Sequence, residues 1–119
     1  MSRINTETEP VDMTGSSVDG IVAYFFNRFN LSCFFNPKYA KSDFYCGITN
    51  SIQDNFSRHG INGYFACVNC ASKEIAGKVE ATLGEMGFDI GHPKNPVGNG
   101  GADDSTIVYI VYKESGFKR

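Results

Sequence analysis

The chain has 119 residues, of which 41 % are hydrophobic and 20 % charged, a composition typical of one ordered globular domain. Its formal net charge of −2 argues against a strong, non-specific nucleic-acid binder, which needs a basic surface to displace counterions, although it still allows a local basic patch. The longest apolar stretch, residues 21–26, is too short to span a bilayer, and the first residues lack the apolar run of a signal peptide. We therefore expect a soluble, cytoplasmic protein with no membrane partner.

The N-terminal part of the chain predicts an arm, a helix and a short strand. Residues 1–16 are polar and aperiodic, and predict a flexible arm in front of a single domain formed by residues 17–119. Apolar side chains recur at helical spacing over residues 17–30, which predicts an amphipathic helix. Its aromatic face is typical of core packing, and a partner groove is the alternative. Residues 44–48 then predict a short strand.

A capped helix and a second strand are predicted next. Asn50 is placed to begin a helix over residues 51–58, with Gln53 completing a capping box and Gly60 ending the helix. Residues 64–70 follow and are rich in strand-forming side chains. The helix therefore connects two strands of one small sheet.

The C-terminal part predicts a third helix, a loop and a third strand. Ser72 is placed to begin a helix over residues 73–86, which carries an apolar stripe. Residues 91–105 are rich in glycine, proline and acids, and predict a long mobile loop. Residues 106–112 are β-branched and aromatic throughout, as expected of a central strand buried on both faces. The element order predicts an α+β or α/β domain with a small, three-stranded sheet and helices on its faces.

Two of the four cysteines have the spacing of half a zinc site or of a redox pair, Cys67 and Cys70. The chain has no second pair of this kind, and its two histidines are far apart in the sequence. If residues 64–70 form a strand, the two thiols point to opposite faces and cannot share a metal ion. We expect buried structural thiols and no zinc.

Several polar residues are candidates for metal-assisted hydrolysis. Glu80 lies at the border of the apolar stripe of its helix, where helix geometry alone also fits an ordinary solvated flank. Tyr45 lies on a predicted strand, and Arg58 and His59 lie at the end of the following helix. Around a small sheet, the glutamate would hold a divalent ion, the tyrosine or histidine would take a proton from water, and the arginine would stabilise the phosphate.

The stretch FYCGITNSIQDNFSRHG, residues 44–60, resembles the second half-motif and the following helix of the GIY-YIG nuclease family. The residues that match in register are Tyr45, Gly47, Thr49, Asn50 and His59. The helix of residues 73–86 is similar to a later family helix, in which an alanine, here Ala76, stands four residues before the metal-binding glutamate, here Glu80. The resemblance implies a mainly antiparallel three-stranded sheet flanked by helices. In an active member it implies cleavage of DNA with one Mg²⁺ held by Glu80, and water activated by Tyr45 or Tyr109.

The chain departs from the family pattern in two places. The catalytic arginine of the family falls on Asn55, which carries no charge, and Arg58 follows less than one helical turn later. A Gly-Ile-Tyr strand is missing before Tyr45, and the segment most like it is residues 107–110, which include Tyr109. These departures lead to the hypothesis of a permutation-like rearrangement, in which the C-terminal strand lies beside residues 44–48.

Three functions stay open from the sequence. The first is a GIY-YIG-like domain with a degenerate active site that binds nucleic acid, such as DNA, or a protein partner. The second is an active, Mg²⁺-dependent DNA endonuclease that uses Glu80. The third is an unrelated α+β domain that binds a protein or forms a homodimer through the aromatic face of residues 17–30. Since charge stabilisation of a phosphoryl transition state is worth about three orders of magnitude or more, Asn55 favours the first function.

Overall fold

A computed structural model describes residues 5–33, 40–91, 105–113 and 117–118. Within these ranges the chain forms an α+β fold with helices on both faces of a four-stranded sheet. A short 3-10 turn, Lys41–Asp43, leads into the second strand. The elements are β1 (Val11–Asp12), α1 (Val18–Cys33), β2 (Phe44–Thr49), α2 (Ile52–His59), β3 (Ala66–Asn69), α3 (Lys73–Glu85) and β4 (Ile107–Tyr112).

The sheet has the strand order β1-β3-β4-β2. Strand β4 pairs antiparallel with both β3 and β2, so it is a central strand, as its sequence predicts. Strand β1 pairs parallel with β3. Two of the three strand pairings are antiparallel, as the sequence predicts, but the sheet has four strands where three are predicted, and the additional pair is parallel. The loop predicted over residues 91–105 lies, except at its two ends, outside the described residues.

The additional strand comes from the segment that the sequence predicts to be a flexible arm. Beyond β1, the backbone of Glu7 exchanges two hydrogen bonds of 2.8 Å with Tyr64. The carboxylate of Glu7 accepts a hydrogen bond from the Cys67 backbone N–H at 3.1 Å and forms an ion pair with Arg28 at 2.9 Å. The outer edge of β3 presents backbone N–H and C=O groups, and this polar segment forms hydrogen bonds with them. Such pairing has no local sequence signature.

The two faces of the sheet have different coverings. Helices α1 and α3 pack on one face, here named the apolar face, and α2 packs on the other, here named the tyrosine face. Side chains alternate along β4, with Val108 and Ile110 on the apolar face and Tyr109 and Val111 on the tyrosine face. The apolar face buries Ile21, Phe25, Phe29, Phe44, Cys46, Cys70, Val79 and Leu83, and the tyrosine face buries Ile61, Tyr64 and Cys67.

The pair of cysteines is divided between these two faces. Cys67 lies on the tyrosine face and Cys70 lies on the apolar face. Burial raises the pKa of Cys67 to about 12 and that of Cys70 to about 11, so both thiols keep their protons at neutral pH. The predicted burial of both thiols is confirmed.

The ends of two helices show how local sequence places the site. Helix α2 begins after Ser51, whose Oγ accepts a hydrogen bond from the Asp54 N–H at 3.3 Å. The predicted cap, Asn50, lies one residue too early, and no capping box with Gln53 forms because the third helical residue is Asp54. Gly60 ends the helix with φ of 70°, as predicted. The predicted N-cap of α3, Ser72, is also confirmed.

Candidate functional site

Strands β2 and β4 bring two predicted site residues together. Their register places Gly47 opposite Tyr109. A Cβ atom at Gly47 would lie 2.6 Å from the Cζ atom of the Tyr109 ring, so the ring needs a glycine beneath it. The C-terminal strand thus lies beside β2, the neighbour that the permutation hypothesis requires.

A chain of hydrogen bonds, here named the tyrosine network, links four side chains above this pair of strands. The Tyr64 hydroxyl donates to Oδ1 of Asn55 at 2.5 Å, and Nδ2 of Asn55 donates to the Tyr109 hydroxyl at 3.3 Å. The Tyr109 hydroxyl lies 2.8 Å from Nε2 of His59, whose Nδ1 bonds to the backbone carbonyl of Lys118. Because a carbonyl only accepts, Nδ1 of His59 is the donor, and Nε2 accepts the proton of Tyr109.

The tyrosine network is closed to solvent. Tyr64 is 0 % exposed, His59 and Tyr109 are each 1 % exposed, and Asn55 is 2 % exposed. Burial raises the pKa of both tyrosines. Burial is also the largest influence on His59, whose pKa is lowered although the hydrogen bond to the Lys118 carbonyl acts in the opposite direction. The network consequently consists of neutral groups at neutral pH.

Tyr45 lies at the rim of this network. Its half-buried ring contacts the rings of His59, Phe117 and Tyr109, with centroid distances of 5.4, 5.6 and 6.3 Å. Burial is the main cause of its raised pKa, to which the negative charge of Glu80 adds and from which the positive charge of Arg58 subtracts. The Tyr45 hydroxyl therefore lies within the electrostatic range of both charged residues.

Glu80 is a buried acid on α3, one turn after Ala76. It is 5 % exposed, which excludes the solvated flank, and its Oε1 atom has no hydrogen-bond partner among the described residues. Burial raises its pKa to about 7. An unpaired buried carboxylate costs free energy, so this position has a physical reason to hold a proton or a cation.

A divalent cation at Glu80 would draw few ligands from the protein. Among the described residues, no group of three His, Cys, Asp or Glu side chains is placed to hold a metal ion. The carboxylate of Glu80 suits Mg²⁺, which prefers oxygen ligands and keeps several waters. Water or substrate oxygens would have to complete the coordination.

The remaining predicted residues have structural or peripheral positions. The Thr49 hydroxyl bonds to the backbone of Ser51 at 3.0 and 3.1 Å and shapes the turn into α2. Asn50 is exposed in the same turn, and Arg58 is exposed near the end of α2. Sequence reasoning missed Tyr64 and the backbone of Lys118, since nothing near them in the sequence marks their contact with α2.

Comparisons with known proteins add no assignment. The chain matches no protein-family model, no curated protein and no solved structure. Within the part of the chain that the structure describes, no helix has the length and hydropathy to cross a membrane. Because function depends on the site rather than on the fold, the chemistry of the site described above is the guide to the function of this chain.

Proposed function

We propose that this chain is a GIY-YIG-like domain with a degenerate active site, and that it binds nucleic acid or a protein partner without cleaving phosphodiester bonds. The observation that carries the proposal is the environment of Asn55, which stands where the resemblance places the catalytic arginine. Both ends of its amide are bonded, to Tyr64 and to Tyr109, and the side chain is 2 % exposed. A guanidinium at this position would be buried without a carboxylate partner among these groups.

The tyrosine network is also a poor substitute for a general base. A general base must reach the proton that it removes, directly or through one water. The Tyr109 hydroxyl already donates to His59 and accepts from Asn55, and the residue is 1 % exposed. Arg58 is the cationic residue nearest to Asn55 in the sequence. Its side chain is exposed on α2, however, whereas Asn55 is buried. These features support binding over hydrolysis.

An active, Mg²⁺-dependent endonuclease is the second candidate, and one observation favours it. Glu80 is buried with an unpartnered Oε1 atom, and its charge acts on the pKa of Tyr45. In an active enzyme Glu80 would hold the ion, which acts as a Lewis acid when bound. Tyr45, which is neutral and only half-buried, would then be the group that contacts the attacking water.

A cleavage assay separates the two candidates. Supercoiled plasmid and branched DNA are incubated with Mg²⁺ or Mn²⁺ and the wild type, Glu80→Gln or Glu85→Gln, the last being a control at an exposed glutamate of the same helix. We expect no cleavage by any of the three. Cleavage by the wild type and Glu85→Gln, but not by Glu80→Gln, would overturn the proposal in favour of the second candidate. Activity that persists in Glu80→Gln would indicate a contaminant or another site.

A binding assay identifies the class of partner. Labelled DNA is titrated with the protein at low and at high salt, because contacts to phosphate weaken steeply as salt rises. Salt-sensitive binding would support a nucleic-acid ligand. If DNA does not bind even at low salt, the protein-partner form of the proposal remains, and sedimentation then tests for a homodimer.

A further inference from the structure

Phe117 and Lys118, which follow β4 in the chain, pack against the candidate site and cover it. The Phe117 ring stacks on the imidazole of His59, with centroids 5.1 Å apart and planes 15° from parallel, and it also contacts Tyr45. The next residue, Lys118, bonds to His59 twice through its backbone. Its N–H donates to the His59 carbonyl at 2.9 Å, and its carbonyl accepts from the His59 ring.

These contacts are few compared with those that hold the sheet. Phe117 contributes one ring to the tyrosine face, and Lys118 contributes one peptide unit. Strand β4, in contrast, pairs along its whole length with β2. Among the described residues, this segment is held by the Phe117 ring and two hydrogen bonds, and a segment with so few contacts opens at a far lower free energy than the whole domain unfolds. When the segment opens, water can replace the Lys118 carbonyl as the hydrogen-bond acceptor for Nδ1 of His59.

Removal of these two residues would uncover flat rings beside a positive charge. Tyr45 and His59, whose centroids are 5.4 Å apart, form a surface here named the aromatic ledge. Arg58 is exposed next to it, and its charge lowers the pKa of both ledge residues. An aromatic ring beside a cation is a combination that binds a nucleobase and its phosphate.

We propose that Phe117 and Lys118 form an intramolecular cover over the aromatic ledge, and that a nucleobase of single-stranded nucleic acid takes the place of the Phe117 ring when the cover opens. The inference rests on the proposed function, for which it specifies the ligand and its regulation. The near-parallel stacking of Phe117 on His59 is the geometry that a planar base adopts on an aromatic side chain.

The charges around the ledge favour a single strand over a duplex. Asp89 and Glu80 both add negative charge near Tyr45, and Asp89 is partly compensated by an ion pair of 2.8 Å with Lys113. A duplex binder needs a broad basic surface, which a net charge of −2 does not provide. A single base with its phosphate requires only one aromatic surface and one cation. The aromatic ledge provides the surface, and Arg58 provides the cation.

The test compares three variants for binding a short, labelled oligothymidine at low salt. Phe117→Ala removes the cover, and Phe56→Ala is a matched control because Phe56 is a half-buried phenylalanine that packs on Tyr64 instead. The double variant Phe117→Ala/Arg58→Gln removes the cation as well. Because a base that binds the wild type must first displace the Phe117 ring from His59 and Tyr45, we expect Phe117→Ala to bind at least about fivefold more tightly than the wild type, a gain equal to ~1 kcal/mol. We expect no gain for Phe56→Ala, and most of the gain to be lost in the double variant.

Every outcome of this test bears on the cover. Equal or weaker binding by folded Phe117→Ala overturns it, and so does an equal gain in Phe56→Ala. A Phe117→Ala chain that does not fold also overturns it, because the cover must leave while the domain stays intact. These failures differ from a failure of the proposed function, which is signalled by Glu80-dependent cleavage of DNA. If the wild type and Phe117→Ala bind equally well, nucleic-acid binding stands and the cover does not.

Discussion

The two faces of the sheet differ in whether their buried polar side chains have hydrogen-bond partners. On the tyrosine face, Asn55, His59 and the hydroxyls of Tyr64 and Tyr109 are joined in one chain of hydrogen bonds. On the side of α3, Glu80 is only 5 % exposed, and its Oε1 atom has no partner among the described residues.

The tyrosine network stabilises the fold, whereas the buried carboxylate of Glu80 destabilises it. A complete network of buried polar groups specifies one arrangement of the core, whereas an unpaired buried charge lowers stability. Buried groups with strongly shifted pKa values concentrate at functional sites, so Glu80 is a candidate site residue independently of any family resemblance. The complete network, in turn, explains why Asn55 and Tyr109 are poorly placed to act on a substrate.

The largest effect is expected on the tyrosine face, from Tyr109→Ala. This change removes a fully buried ring and two hydrogen bonds, and large-to-small changes of buried aromatic residues cost about 3–5 kcal/mol. Urea unfolding measures the loss. Ile110→Ala, on the apolar face of the same strand, is the matched control, with an expected loss of about 2–5 kcal/mol. A loss at Tyr109 well below that at Ile110 would show that the tyrosine network adds nothing to ordinary packing.

The next effect depends on pH and comes from the apolar face. The pKa of Glu80 is about 7 in the folded protein, above the ordinary value of 4.5 that we take for the unfolded chain. Below pH 4.5 the group is protonated in both states and costs nothing. As pH rises toward 7, the folded state resists ionisation and the wild type loses stability, up to about 3 kcal/mol at 1.36 kcal/mol per pKa unit.

Glu80→Gln removes this dependence. We expect the variant to be more stable than the wild type above pH 7 and to approach it below pH 4.5, as measured by unfolding at both pH values. His59 and other titrating groups are present in both proteins, so the difference between the two curves isolates Glu80. Glu85→Gln, at an exposed position, should follow the wild-type curve. Parallel curves for the wild type and Glu80→Gln would remove the contrast between the two faces.

A smaller loss is expected when one hydroxyl is removed from the tyrosine network. Tyr64→Phe keeps the ring but leaves Oδ1 of Asn55 without its donor, which costs about 1–3 kcal/mol. Tyr24→Phe is the control, because the ring of Tyr24 packs at the margin of the apolar face and its hydroxyl makes no hydrogen bond that the structure describes. Its free energy of unfolding should change by less than about 0.5 kcal/mol. Similar values for both variants would mean that water replaces the lost partner.

The smallest effects should be equal on the two faces. Ser51→Ala removes the cap of α2 on the tyrosine face, and Ser72→Ala removes the cap of α3 on the apolar face. Each serine accepts one backbone N–H, at 3.3 and 3.2 Å, so each change should cost about 1 kcal/mol. Thermal unfolding measures both. A much larger loss at Ser51 would indicate that the cap of α2 also positions the tyrosine network.

Elements with strong local signals were predictable from the sequence, and the pairing at the sheet edge was not. Strand β4 is β-branched and aromatic throughout, and α3 has both a cap and an apolar stripe, so each could be predicted from its own residues. Strand β1 is two residues long within a polar segment, and it exists only because β3 offers it an edge. Its pairing depends on residues more than fifty positions away, which no local pattern records.

The candidate site divides in the same way. Tyr45, Gly47 and His59 lie in one stretch of sequence, so their proximity followed from the strand–helix pattern. Tyr109 is fifty residues from His59, and the hydrogen bond between them depends on the register of β4 beside β2. The burial of Glu80 likewise required the packing of α3 on the sheet, because helix geometry alone also allowed a solvated flank.

By itself, the sequence determined a domain of helices on a small sheet, the three helices, the central strand and the division of Cys67 and Cys70 between opposite faces. These features follow from backbone preferences and side-chain periodicity, which act between neighbouring residues. Only the tertiary structure decided that both ends of the Asn55 amide are hydrogen-bonded, that Glu80 is buried with an unpartnered oxygen, and that Phe117 lies on His59. Hydrogen-bond partners and desolvation depend on which surfaces meet, and those contacts join residues that are distant in the chain.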